Sequence, residues 1–179
     1  IGAGIISGGM LQRGAQGTAG DLGHVRIPRA DGIWCRCGNE GCLEAIASGA
    51  AVATALREAG LAAADGGDVV RLTRSGDVQA IQAVRQAGRD LGEVLAMLVN
   101  LVNPSVVVIG GSLALAGEHL IAGIREVVYQ RSLPLATEQL QLVTSAAGER
   151  AGVFGAAALA IGHALSPDSI EAATLAASG

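Results

Sequence analysis

The chain has 179 residues, half of them hydrophobic, 16% charged and 2% aromatic, with a formal net charge of -4, a pI near 5.3 and a mean hydropathy of +0.46. That length and apolar content exclude a disordered tail and suit one domain, or one lobe of a two-lobed protein. The acidic balance and scarcity of aromatics exclude an electrostatic footprint for nucleic acid and a base-stacking platform, so these residues are not expected to bind DNA or RNA directly.

Ile1 to Ile6, the turn Ser7-Gly8-Gly9 and Met10 to Gln12 read as a β-hairpin, and Arg13 to Gly23 as a glycine-punctuated loop. A first helix is expected from Cys42 or Leu43 to Glu58, with Gly60 at its C-terminal cap. After Gly66-Gly67 comes a short helical piece. Ser75-Gly76-Asp77 then offers caps for a long helix from Val78 to about Val102, with Val78, Ile81, Val84, Leu91, Val94, Leu95 and Leu98 on its buried face. Pro104 ends it, and Val106 to Ile109 reads as a strand buried on both faces, closed by Gly110-Gly111. Leu120, Ile121, Ile124, Val127 and Val128 mark one face of a further helix. Leu140 to Val143 reads as a strand and Ala151 to Leu165 as the last helix, while the tail beyond Pro167 carries no signal. The alternation of strands and helices predicts an α/β architecture with helices packed on a sheet.

The uncharged stretch from Val94 to Gly117 is long enough to suggest a membrane span, but Asn100, Asn103, Pro104 and Ser105 interrupt it, so no membrane partner is expected. An odd cysteine count does not make a disulfide framework and points to a reducing, cytoplasmic setting. Ile1 follows no methionine or leader-like segment and already reads as mid-strand, as expected of a piece of a longer protein.

His24, Cys35, Cys37 and Cys42 form the pattern H-x10-C-x-C-x4-C. Zn²⁺ favours four nitrogen or sulfur ligands in a tetrahedron, and a closed set of three thiolates and one imidazole leaves no position for a reactive water. Structural zinc is the expectation, with Gly38 and Gly41 allowing the tight folding between thiolates. The bland alternative is three buried free cysteines and a satisfied histidine. His119 and His163 have no nucleophile in an elbow-type motif and are read as one surface and one packing residue. Gly2 and Gly4 would let backbone approach a phosphate, and Gly110-Gly111 after a strand would admit a nucleotide, although glycine pairs usually serve turns.

The runs RGAQGTAGDLGH (Arg13 to His24) and CRCGNEGCLE (Cys35 to Glu44) resemble the signature of the ROK family, named for repressor, open reading frame and kinase. IGAGIISGG at the start, NPSVVVIGGSLA (Asn103 to Ala114) and ERAGVFGAAALA (Glu149 to Ala160) resemble its glycine-rich hairpin, its strand with a double glycine and its last helix. The resemblance covers most of the chain. It implies the C-terminal lobe of an actin-like ATPase (ribonuclease H-like) fold carrying an inserted zinc loop at about residues 21–44.

By the same resemblance, Asp21, the metal-bound His24 and Glu44 contact a hexose, for which two carboxylates supply charge-assisted acceptors. Asp21 stands where kinases of the family have glutamate, and RSLPLATEQL (Arg131 to Leu140) resembles actinobacterial ROK regulators. The implied function is therefore sugar-effector binding and homodimer or homotetramer formation in a bacterial transcriptional regulator, with DNA contacted only through an N-terminal domain outside this chain. The first alternative is one lobe of a sugar kinase, glucokinase-like or N-acetylhexosamine kinase-like, using ATP and Mg²⁺. The family's catalytic aspartate falls in the other lobe, so these residues alone are not expected to transfer phosphate. A zinc-bearing interaction domain that binds no sugar is the remaining alternative.

Overall fold

Gly8 and Gly9, with φ of 58° and 77°, turn the chain between β1 (Ile5–Ser7) and β2 (Met10–Gln12) in the computed structural model, which describes residues 1–177. Positive φ at both central positions is what a tight hairpin requires. The preceding residues join the loop behind the hairpin: Ala3 N–H donates to Gly20 O at 2.7 Å and Gly23 N–H to Ile1 O at 3.0 Å. Gly20 has φ 97°, and a Cβ there would run into the Ala3 carbonyl, so only glycine closes this contact.

The single helix expected from Cys42 to Glu58 is two: α1 (Glu44–Ala47) and α2 (Gly49–Glu58). Ser48 breaks it by taking extended backbone and capping α2, its Oγ accepting from Ala51 N–H at 3.2 Å. Asp65 caps α3 (Gly66–Arg74), accepting from Gly67 and Asp68 N–H, and Asp77 caps α4 (Val78–Val102), accepting from Ala80 N–H. The long helix stops one residue before Pro104, at Asn103 in the left-handed conformation (φ 48°).

The buried stripe of α4 differs from expectation. Val84, Val94 and Leu95 are buried as predicted, but Val78 is exposed and Ile81, Leu91 and Leu98 are only half-buried. The centre of the stripe is made of small residues, Ala80, Ala87, Gly88 and Gly92. α5 (Glu118–Arg131) explains this, since it lies against α4 nearly backbone to backbone. A Cβ on Gly88 would strike Leu120 O and sit 3.1 Å from Gly123 Cα, and one on Gly92 would sit 2.8 Å from Val127 Cβ. The apolar face of α5 is as expected, with Leu120, Ile121, Ile124, Val127 and Val128 buried.

β3 (Val106–Ile109) pairs in parallel with β4 (Gln141–Thr144), Val106 opposite Gln141 and Ile109 opposite Thr144, with α5 and the short α6 (Pro134–Thr137) in the crossover. β3 is not buried on both faces. Val107 and Ile109 pack on the core, whereas Val106 and Val108 are 45% and 56% exposed, so the helices of the first unit cover one face of the strand and leave the other open. The core fills the space among α1 to α5, with Leu43, Val69, Val84, Val99, Ile124 and Val128 fully enclosed.

Residues from Ser145 onward form a second unit. It holds α7 (Ala151–Ala164), within a residue of the expected span, and α8 (Pro167–Ala177), a helix where the sequence carried no signal. The described side chains of α7 are exposed. Among the described residues no single helix is long and apolar enough to cross a membrane, although α7 and α8, bent by 53°, pass that test jointly by length and composition.

Candidate functional site

The segment from Leu22 to Glu44 contains little regular structure, yet its backbone is closely specified. A turn of 3-10 helix, Leu22–His24, presents His24. Val25 to Ile27 then runs antiparallel to Gly41 to Leu43: Ile27 N–H donates to Gly41 O and Leu43 N–H to Val25 O, each at 3.0 Å. A second small hairpin closes beyond it. Trp34 bridges Glu40, Cys35 N–H donates to Asn39 O at 2.8 Å, and Gly38 N–H returns to Cys35 O at 3.0 Å. Trp34 itself is 72% exposed at this tip.

These two ladders bring the four expected metal ligands together. One donor atom each from His24, Cys35, Cys37 and Cys42 lies within 4.8 Å of every other. Cys37 Sγ is 3.7 Å from Cys42 Sγ, and Cys35 Sγ is 3.7 Å from His24 Nδ1. Zn–S bonds of about 2.3 Å and a Zn–N bond of about 2.0 Å at tetrahedral angles put donor atoms roughly 3.5 to 3.8 Å apart, the spacing of the Cys37–Cys42 and Cys35–His24 pairs, and the donor chemistry of the four suits zinc. With Nδ1 facing the thiols, Nε2 is left to donate elsewhere. The thiols differ in character: the Asn39 backbone N–H holds the exposed Cys37 down to about 7, whereas burial and the neighbouring thiols push Cys42 up to about 12.

Glu44 opens α1, and its carboxylate accepts from the Ile1 nitrogen. Its Oε2 lies 3.1 Å from where a Gly23 Cβ would stand, which sets this acid beside the residue preceding His24. Asp21 sits one turn earlier, exposed and without a capping hydrogen bond. Gly2 and Gly4 are exposed in the lead-in to the hairpin. Gly110 and Gly111 are exposed after β3, Gly111 with φ 90° and open space where a Cβ would be. His163 is exposed and His119 half-buried.

Two features were not read from sequence. Asp90, 3% exposed on α4, takes a two-pronged ion pair from Arg29, with Nε to Oδ1 at 2.7 Å, and also accepts from Gln86. The pair ties the loop to the long helix, and Asp90 raises the Arg29 guanidinium above its ordinary value. The separation of 61 residues hides it from any local pattern. The other feature is the meeting of helix starts at Ser112. Gly49 and Gly66, first residues of α2 and α3, lie so close that a Cβ on either would stand 3.4 Å from the other's Cα, and Ser112 Oγ is 3.5 Å from the Gly66 position. Ser48 and Asp65, the N-caps of these two helices, are the residue types that could have signalled it.

The ROK family model matches residues 1–163. A putative xylose repressor of Caldicellulosiruptor sp. (strain Rt8B.4) is 33% identical over 94% of this chain and 45% of its own length. The glucokinase of Thermotoga maritima is 34% identical over 89% of this chain and 54% of its own. Among solved structures, a ROK family glucokinase from Streptomyces griseus in complex with glucose and AMPPNP superposes with a TM-score of 0.75 at 31% identity, over 88% of this chain and 56% of that one. The chain thus spans about half the length of the relatives it matches.

Proposed function

The chain belongs to the ROK family, whose members similar to it include both repressors and sugar kinases, and from that premise we propose that it is the sugar-effector-binding, self-associating C-terminal lobe of a ROK transcriptional regulator. The observation that carries this reading is the junction of the His24, Cys35, Cys37 and Cys42 cluster with Glu44, because it can present a metal-fixed imidazole and a carboxylate to the same ligand. Zinc held there is structural: four protein donors fill its tetrahedron, and its contribution is to hold the loop. His24 Nε2 donates to a sugar hydroxyl, Glu44 accepts from hydroxyls through two oxygens, and Asp21 completes the set from the exposed turn before His24. The regulator role is favoured by aspartate at position 21 and by the xylose repressor match. DNA contact then falls to a domain outside this chain, the assembly is a homodimer or homotetramer, and the setting is the cytoplasm.

A specific observation favours a second reading. α2 and α3 both start beside Ser112, the residue that follows Gly110 and Gly111, and two helix N-termini close to the end of a glycine pair suit the phosphates of ATP with its Mg²⁺. This chain would then be one lobe of a sugar kinase, as the glucokinase matches suggest.

Calorimetry of the full-length protein against a panel of hexoses tests the site. Charge-assisted bonds are worth about 1.5 to 3 kcal/mol, so Glu44→Ala should weaken binding roughly tenfold to more than a hundredfold with zinc content unchanged. Unaltered affinity in Glu44→Ala and in Asp21→Ala would overturn the sugar reading. A coupled phosphorylation assay on the same protein decides between the roles, turnover above background favouring the kinase.

A further inference from the structure

Cys37 differs from the other two thiols in its surroundings. Cys35 and Cys42 are buried and Cys37 is exposed at the tip of the small hairpin, with its Sγ 3.7 Å from that of Cys42. Gly38 follows it with φ 91°, and a Cβ there would meet open space, so no packed side chain stands against the turn on that side. A disulfide needs the two sulfurs at about 2.05 Å. The required approach is short, and the partner open to solvent is Cys37.

We propose that Cys37 is a peroxide-reactive site whose oxidation closes a Cys37–Cys42 disulfide and expels the metal. The Cys37 sulfur attacks one oxygen of hydrogen peroxide, the O–O bond breaks, and hydroxide leaves to become water, giving a sulfenic acid. Cys42 Sγ attacks that sulfur, the S–O bond breaks, and a second hydroxide leaves as water while the S–S bond forms. Two thiolates lose two electrons in all, and one peroxide takes them up with two protons from solvent. A tetrahedral site stripped of two thiolates retains only His24 and Cys35, and zinc is released. Because Glu44 lies two residues beyond Cys42 and His24 loses its anchor, sugar affinity falls with the metal, a consequence that rests on the proposed sugar site.

The test uses the full-length protein purified in reductant. Its metal content is measured first, then a few equivalents of hydrogen peroxide are added while a chromogenic chelator follows zinc and peptide mapping assigns the thiols. Expected are stoichiometric zinc release, a peptide pair joined through Cys37 and Cys42, and recovery with dithiothreitol and added zinc. Cys37→Ser should leave Cys35 and Cys42 reduced at the same dose; should that variant fail to fold, the mapping of the unaltered protein decides. A Cys35–Cys42 bridge, a sulfinic acid at Cys37 without a bridge, or three intact thiols would overturn the inference. Protein that contains no zinc before peroxide contradicts the metal reading by itself, and a Cys37–Cys42 bridge formed in it would still support the reactive pair.

Discussion

The loop from Leu22 to Glu44 and the crossing of α4 with α5 are held by opposite means. In the loop, two isolated ladders order a chain with almost no regular structure and gather four donor atoms. At the crossing, order comes from side chains that are missing: Gly88, Gly92 and Gly123 let two helices touch along their backbones. On the proposed zinc reading the first region depends on a bound ion that satisfies its donors, and the second on nothing being added. They should therefore fail under different perturbations, with the Arg29–Asp90 pair as the tie between them.

The sharpest break is at the crossing. A Cβ on Gly123 would collide with Arg85 O and lie 3.0 Å from Arg89 N, so Gly123→Val forces the helices apart. A loss on the order of 3 kcal/mol or more is expected, read as a lower urea midpoint at unchanged slope, with zinc content per folded molecule preserved. Next comes the loop: Cys35→Ser should reduce bound zinc to less than about a tenth of an equivalent. Amide exchange should accelerate at Ile27, Gly41 and Leu43, while Leu95 and Ile124 stay protected. Equal acceleration at all of these positions would show the two regions to be one cooperative unit.

The tie is expected to matter less than either. Removing one member of a buried pair costs several kcal/mol, but the Arg29 side chain is 48% exposed, which reduces the expected cost of Asp90→Ala to about 2 kcal/mol. Combined with Cys35→Ser its effect should be less than additive, since the loop it anchors is already loose. The smallest effect lies outside both regions. Ala64 N–H and Arg71 hold the Asp68 carboxyl below its usual range, so its contribution is present above the ordinary carboxylate value and lost as pH falls through the folded one. Asp68→Asn should lower the melting temperature slightly at neutral pH, the two curves converging in acid.

What the sequence disclosed follows the same division. His24, Cys35, Cys37 and Cys42 were legible because donor chemistry and spacing lie close together in the chain, and the caps at Asp77 and around Pro104 because they act on adjacent residues. The face of α5 was legible from its period. The break at Ser48 was not, since Leu43 to Glu58 reads as unbroken helix former, and what decides it is a cap together with the approach of Gly49 to Gly66. The half-exposed β3 escaped notice because a β-branched run has the same composition whether one face is covered or two. On α4 the large apolar residues drew attention while the small ones made the contact. Gly88 and Gly92, four apart, were the available sign. The placement of Asp21, Glu44 and the exposed glycines tells where these residues stand, and their ligands are what the calorimetry would establish.

Trp34 is the chain's one tryptophan, and it projects from the same small hairpin that carries Cys35 and Cys37. Its indole is bathed in water, so its emission is that of a solvated fluorophore, sensitive to quenchers and to any change in the hairpin beneath it. The protein thus contains an optical probe at the His24, Cys35, Cys37 and Cys42 cluster without labelling. A change at the proposed metal and sugar sites would then be read in real time from a single wavelength, against a background of one tyrosine on α5.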